Sequence, residues 1–563
     1  MMRIWADLRT GGHGSLRRGL MRVIQIALAI VVACAPVVAQ NRPATASNDG
    51  SYRIAGTVVN VATGEPIQRA VVSALGEDEN RSIASVVSDA QGHFALEGLP
   101  AAKYPLSASK RGFRTALYDD HEGYNTAIVT GPDQDTTHLI FFLVPGAVLQ
   151  GVVSGDGGDP VEGARVGLFE KPRHPTQNDR IPPLETSVTD DTGAYEFGNL
   201  ADGDYLVAVF ARPWYAMYGP SGGSASNAVG DASAQLDVAY PITYFDSTTD
   251  EASATAISLA KGSREEVDIN LHAVPALRIA VDAPRREDGR LARPELQQIV
   301  FGAPIPAENV GIFARVNGGT TEFNGVPPGH YELTVGDPPH IVELSATESR
   351  QVDSDSGSAM VAVTGTLRMQ RGGMPPENAH IILWPQEGAA SHANLDSDVH
   401  NCLFRFDGVA PGSWLVRVQN GGMLMPVLAV GAGSHAHAGN MFTVRDQPLN
   451  LVVTIGEGTA RIEGFARKDG KGFAGAMIVL VPKHAANLEA MARRDQSDSD
   501  GSFSLRDVVP GQYTIVAIED GWELDWVHPG VLARYLPGGT AVTLNGSSEG
   551  DVHLAGPVVV QPR

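Results

Sequence analysis

The sequence predicts an all-β protein: tandem antiparallel β-sandwiches behind an N-terminal export signal. Three observations carry this. A turn-and-strand motif recurs at domain-sized intervals. Within each copy, apolar residues fall two apart, as on one face of a strand. Glycine and proline number 63 and 36 among 563 residues, which disfavours long helices. A hydrophobic fraction of 43% is enough for packed cores. The formal charge of −22 leaves no basic footprint, so no nucleic-acid partner is expected.

The chain opens with an export segment. Arg17, Arg18 and Arg22 form a positive region, and Val23 to Val32 is apolar except for Gln25. Val37-Val38-Ala39 offers small residues to a signal peptidase, so 1–39 is read as a signal peptide and Gln40 as the mature N-terminus. Met21 is an alternative start. The apolar run is short for the roughly 20 residues of a spanning helix. No later stretch approaches that length, so no transmembrane span is expected in the mature chain. Val31-Val32-Ala33-Cys34 also resembles a bacterial lipobox, which would make Cys34 a lipid anchor. The other cysteine is Cys402, so cleavage at Ala39 leaves no intramolecular disulfide.

The repeated motif is clearest at Asp89…Gly92-His93-Phe94-Ala95-Leu96…Leu99-Pro100…Tyr104. It returns at Asp190…Gly193-Ala194-Tyr195-Glu196-Phe197…Tyr205 and at Asp498…Gly501-Ser502-Phe503-Ser504-Leu505…Tyr513. Glycine and tyrosine stand 12 apart in all three. Degenerate copies run from Gly319 to Tyr331 and from Phe404 to Trp414, with Cys402 at the glycine position in the last. Asp-x-x-Gly suits a tight turn, because Asp bonds its own backbone and Gly accepts positive φ. Phe94 and Leu96 share one strand face. The aromatic opens the next strand: Tyr205, Val207, Val209; Trp414, Val416, Val418; Tyr513, Ile515, Ala517.

Four copies show an upstream strand–turn–strand half, as in Ile54–Val59 followed by Pro66-Ile67 and Ala70–Val72. The five aromatics are 101, 126, 83 and 99 residues apart, so five modules are read in series. Their expected bounds are 52–146, 147–274 with a flexible insertion, 275–345 (degenerate), 359–456 and 459–560. Residues 40–51 are read as a polar tether and Ser345 to Ser358 as a linker.

The Gly-x-Val-Val strand, the Pro-Ile/Val-x-x-Ala-x-Val stretch and the Asp-x-x-Gly-x-Phe…Pro-Gly-x-Tyr hairpin together resemble the carboxypeptidase regulatory-like domain. The resemblance implies Ig-like or prealbumin-like (transthyretin-type) sandwiches, related in fold to starch-binding modules. It implies no activity, because such modules are appended to many proteins.

Reactive constellations fare poorly on spacing. His340-Ile341-Val342-Glu343 fits a zinc pair but has no third ligand nearby. Gly219-Pro220-Ser221-Gly222-Gly223 has the letters of a nucleophile elbow, yet small polar residues follow it instead of a helix. Asp495, Asp498, Asp500 and Asp507 miss the EF-hand register. His435-Ala436-His437 is read as an exposed loop. No catalytic, metal or cofactor site is expected, and no cofactor is required. Trp214, Tyr215 and Tyr218 in the second module and Trp522, Trp526 and Tyr535 in the fifth are the candidate ligand-binding residues. The functional expectation is a non-catalytic exported protein, periplasmic, surface-bound or secreted, with a protein or glycan partner in the cell envelope. Carbohydrate binding through those aromatics is the first alternative and a hydrolase with an unrecognised site the second.

Overall fold

The computed structural model describes residues 51–563, apart from 77–80, 173–179, 218–235, 283–292, 318, 337–338, 354–355, 387–388, 390, 392, 422, 433–434, 457–459, 484–491 and 545–549. The expected export segment at 1–39, with Cys34, therefore lies outside the described residues, as do Tyr218 and the Gly219–Gly223 stretch. Among the described residues, strands dominate and the one α-helix is Pro529–Ala533. No helix among them is long and apolar enough to cross a membrane.

Among the described residues one strand arrangement occurs five times. A long first strand pairs antiparallel with the Phe-bearing strand on one side and parallel with a closing strand on the other. Tyr52–Asn60 lies between His93–Leu99 and Leu139–Leu143. Ala147–Ser154 lies between Ala194–Leu200 and Arg264–Glu266. Leu277–Asp282 lies between Thr320–Val326 and Arg350–Val352. Val361–Met369 lies between Leu403–Val409 and Leu449–Ile455. Ala460–Lys468 lies between Ser502–Val508 and Gly550–His553. In each copy a second sheet packs across the core, centred on an antiparallel pair with the strand opened by the aromatic, such as Met477–Pro482 with Gly511–Ile518.

The copies share local devices. Each first strand carries a register shift near its start. Opposite it, Gly98, Asn199, Gly325 and Asp507 adopt positive φ, the conformation a bulge requires. The aromatic that opens the Tyr strand is buried and hydrogen-bonds the carbonyl four residues back. Tyr104 donates to Pro100 at 3.1 Å, Tyr205 to Ala201 at 3.1 Å, Tyr331 to Pro327 at 2.8 Å and Tyr513 to Val509 at 2.7 Å. The Trp414 indole N–H does the same to Ala410 at 2.9 Å. An aromatic body fills the core while its polar tip pins the corner that leads into its own strand.

Cys402 holds the turn position of the motif glycines, at φ 67° against 76° for Gly92 and Gly193. A side chain there opposes the left-handed backbone. Cys402→Gly is therefore expected to stabilise the fourth sandwich by about 1 kcal/mol, read as a higher denaturant midpoint at unchanged m-value. A lower midpoint would show that the thiol contributes packing that outweighs the strain.

Two sheets are apolar on both faces. Along Gly203–Phe210, Tyr205, Val207 and Val209 enter the second core. Leu206, Ala208 and Phe210 enter the core of the third sandwich, where Phe169 and Phe301 meet edge-on at 4.9 Å. Along Met477–Pro482, Ile478 and Leu480 face the fifth core, while Met477, Val479 and Val481 lie beneath Trp522, Leu532 and Tyr535.

The third copy extends past the expected boundary at 345. Arg350–Val352 is its closing strand and Ser358–Ala359 adds to its other sheet, so the Ser345–Ser358 stretch is not only a linker. Of these short strands only Val352 is buried, which hides them in the sequence. His435–Ala438, expected as a loop, is a strand paired with Val427–Ala432.

Candidate functional site

The motif aspartate behaves differently in the last copy, and this difference builds the site. Asp89 Oδ1 accepts the Gln91 and His93 N–H groups at 2.9 and 2.8 Å. Asp190 Oδ1 accepts those of Thr192 and Ala194, each at 2.9 Å. Hydrogen bonds from its own turn, led by the His93 N–H at Asp89 and by the Thr192 hydroxyl at Asp190, hold each carboxyl below the usual range. In the fifth copy Asp500 takes over the turn, accepting the Ser502 N–H at 2.9 Å. Asp498 keeps only the Ser502 hydroxyl of its turn, at 3.2 Å, and turns its carboxylate to the first sandwich. Lys103 Nζ donates to its Oδ2 at 2.6 Å, and the Ala127 N–H to its Oδ1 at 3.1 Å.

A continuous contact surrounds that pair. The Ser499 N–H donates to the Ala127 carbonyl at 3.0 Å, and the Val129 N–H to Ser499 Oγ at 2.8 Å. Gln496 Nε2 donates to the Asp119 carbonyl at 2.6 Å and to Thr126 Oγ1 at 2.8 Å. Gln496 Oε1 lies 3.1 Å from His121 Nδ1. A tight turn at His121–Tyr124, with Glu122 and Gly123 at φ 54° and 85°, presents the remaining groups. Glu122 pairs with Arg494 at 2.7 Å. Gly475, at φ 76°, allows the approach: a Cβ there would stand 2.8 Å from the Asp119 carboxylate.

Aromatic rings complete it. His121 stacks on Trp522 with centroids 5.6 Å apart, and Tyr124 does so at 5.2 Å. The Arg494 guanidinium lies 4.3 Å from the Trp526 ring centroid and 5.1 Å from that of Tyr124. A planar cation between ring faces is a strong recognition element. The structure thus brings Trp522, Trp526 and Tyr535 together on one sheet face. Trp522 and Tyr535 are 7% and 3% exposed, and Trp526 is half-buried. Trp214 and Tyr215 are not in this cluster. Trp214 is 91% exposed and meets Tyr215 edge-on at 5.7 Å.

The electrostatics follow from burial. Desolvation raises the Asp498 carboxyl despite Lys103. Burial pushes Asp495 up to about 7, with the Asp498 charge adding to it and the Ser504 N–H opposing it. A carboxyl raised from 3.8 to about 7 binds its proton more tightly in the folded state. The resulting stability is full below about pH 4 and is lost as pH rises through 7. Asp495→Asn is expected to remove that loss. The melting temperature of the variant relative to the natural chain should therefore rise from pH 4 to pH 8, and a constant difference would refute the assignment.

The other motifs do not converge. His340 and Glu343 sit three apart on strand His340–Ala346 and so face opposite sides. Asp495, Asp498 and Asp500 are spent on backbone, Lys103 and Ser502 respectively. Among the described residues no group of three His, Cys, Asp or Glu side chains is placed to hold a metal ion.

Sequence reasoning found the aromatics and the Asp-x-x-Gly turn but missed Lys103, Asp119, Glu122, Thr126, Arg494 and Gln496. The one available signal was the doubled aspartate in Asp498-Ser499-Asp500-Gly501, which supplies one carboxylate more than the turn needs.

A family model covers the first copy. Residues 53–140 match the carboxypeptidase regulatory-like domain. This carboxypeptidase regulatory-like segment holds Lys103 and the docking segment 118–130. Three solved structures are similar to this chain in part. The Bacillus anthracis TIE protein is 10% identical, over 72% of this chain and 74% of its own, with a TM-score of 0.16. BcpA, the major pilin subunit of Bacillus cereus, is 10% identical over 91% and 98%, with a TM-score of 0.13. Two B repeat units of the collagen-binding protein of Staphylococcus aureus are 11% identical over 72% and 99%, with a TM-score of 0.12. At such scores no function passes from those proteins to this chain. No curated protein matches.

Proposed function

We propose that this chain is a non-catalytic, exported protein of five sandwich modules with a structural or binding role at the cell envelope or outside the cell. The observation that carries the reading is the redirected motif aspartate. A residue that closes a turn in two copies serves in the fifth to recognise another folded module. Loops and outer sheet faces are thus spent on protein contact, and hydrogen-bonded backbone, an arginine between rings and two ion pairs are the chemistry of such contacts. The five recurrences of one strand arrangement support the modular division.

Fractionation of the native cells, with mass analysis of the purified chain, tests this reading. The expected result is an extracytoplasmic chain that begins at Gln40, or an acylated one that begins at Cys34. An unprocessed cytoplasmic chain would overturn it, as would a hydrolytic activity that tracks with the pure protein.

The exposed Trp214 favours a second reading, contact with a glycan. Under it, retention on an insoluble polysaccharide falls at least tenfold in Trp214→Ala. Equal retention removes that platform.

A further inference from the structure

We propose that the docking surface of the fifth sandwich also accepts segment 118–130 from a second copy of this chain, so that first and fifth modules exchange between molecules. The proposal rests on the binding role inferred above and names its partner.

Both partners are complete without each other. The core of the first sandwich, from Ile54 and Val72 to Phe141 and Leu143, contains no residue of the fifth. The inner core of the fifth contains none of the first, and of the first sandwich Tyr124 packs against the outer cluster around Trp522. Undocking therefore uncovers that outer cluster and leaves both inner cores closed. The contact is made of ion pairs, hydrogen bonds and rings stacked at a sheet surface, as in separable interfaces between domains. A second copy presents the same Lys103, Glu122 and Tyr124 to the same Asp498, Arg494 and Trp522, so its complementarity is already seen within one molecule.

The two patches differ, which makes the contact heterologous. Two chains that exchange reciprocally satisfy both docking sites, and further copies could add in series. Within one chain the intervening sandwiches already present the first module at the docking surface, so the intramolecular contact is favoured over a second copy at low concentration. The natural chain is thus a monomer at micromolar concentration and gains dimer as its concentration rises.

Charge reversal tests the exchange. One full-length variant carries Lys103→Asp with Glu122→Arg, and the other carries Asp498→Lys with Arg494→Glu. Each alone opposes like charges at both ion pairs. Mixed, the altered first module of one meets the altered fifth module of the other, and the two natural surfaces meet as well. The expected result is that each variant is monomeric at about 10 µM and that the mixture has twice the mass by light scattering. A mixture that stays monomeric overturns the proposal if both variants keep the natural circular dichroism.

A second arm leaves every charge in place and covers misfolding. Chains carrying Ala127→Cys or Ser499→Cys, in a background of Cys34→Ser and Cys402→Ser, are mixed and oxidised. Exchange predicts a disulfide-linked heterodimer at least fivefold above a control pair with Met374→Cys in place of Ser499→Cys. Yields equal to the control overturn the proposal. Neither failure touches the export reading, which fractionation decides separately.

Discussion

Asp498→Ala is expected to release the first sandwich from the fifth while leaving both folded. The substitution removes the acceptor of Lys103 and leaves the Ala127 N–H without its partner. Asp498 is 12% exposed at its side chain, whereas Lys103 is 48% exposed. Solvent screening of the lysine reduces the pair below the roughly 3–5 kcal/mol of a fully buried one. The unpaired amide adds about 1 kcal/mol, so the docking free energy falls by about 2–3 kcal/mol. The Val129 amide, which donates across the interface to Ser499, is a remote reporter. Its hydrogen exchange should accelerate about 30- to 160-fold, while amides inside Met477–Pro482 stay protected. Unchanged exchange at Val129 would show that the stacked rings alone hold the modules together.

Trp414→Ala is expected to cost about 3–5 kcal/mol, a large part of the 5–15 kcal/mol typical of a domain. The indole is fully buried in the fourth core and its N–H pins the Ala410 carbonyl. Trp414→Phe keeps most of the apolar body and loses the hydrogen bond, so it should cost considerably less than the alanine. Chemical denaturation should show the fourth sandwich unfolding as a separate early transition in the alanine variant. A cost below about 1 kcal/mol would mean that neither the burial of this indole nor its corner bond anchors the fourth copy.

Much of the architecture was legible. Asp-x-x-Gly, the period-two Phe strand and the aromatic 12 residues past the glycine are local signals, and the three copies that carry all of them form the strands they imply. The closing strands were harder to read. Arg350–Val352 is three residues long and mostly polar, because it covers a sheet edge with one buried side chain. The two-faced sheets were readable in principle. Tyr205 to Phe210 and Met477 to Val481 are unbroken apolar runs, which mark strands buried on both faces. Attention to every second residue hid Leu206, Ala208 and Phe210, and with them the packing of the second sandwich on the third. The docking site was visible only in fragments. Trp522 and Trp526 stood out by residue type. Lys103 and Asp498 are 395 positions apart, and only the folded chain brings them together.

Zero-length carbodiimide coupling, which joins an amine to a carboxylate already in contact, tests the docking most directly. The Lys468–Glu519 pair inside the fifth sandwich, at 2.6 Å, serves as an internal standard of matching length for Lys103–Asp498, also at 2.6 Å. The redirected aspartate predicts a peptide joining residues 103 and 498 in the monomer fraction, at a yield comparable to the 468–519 peptide. Abundant coupling of 468 to 519 with none of 103 to 498 would contradict it.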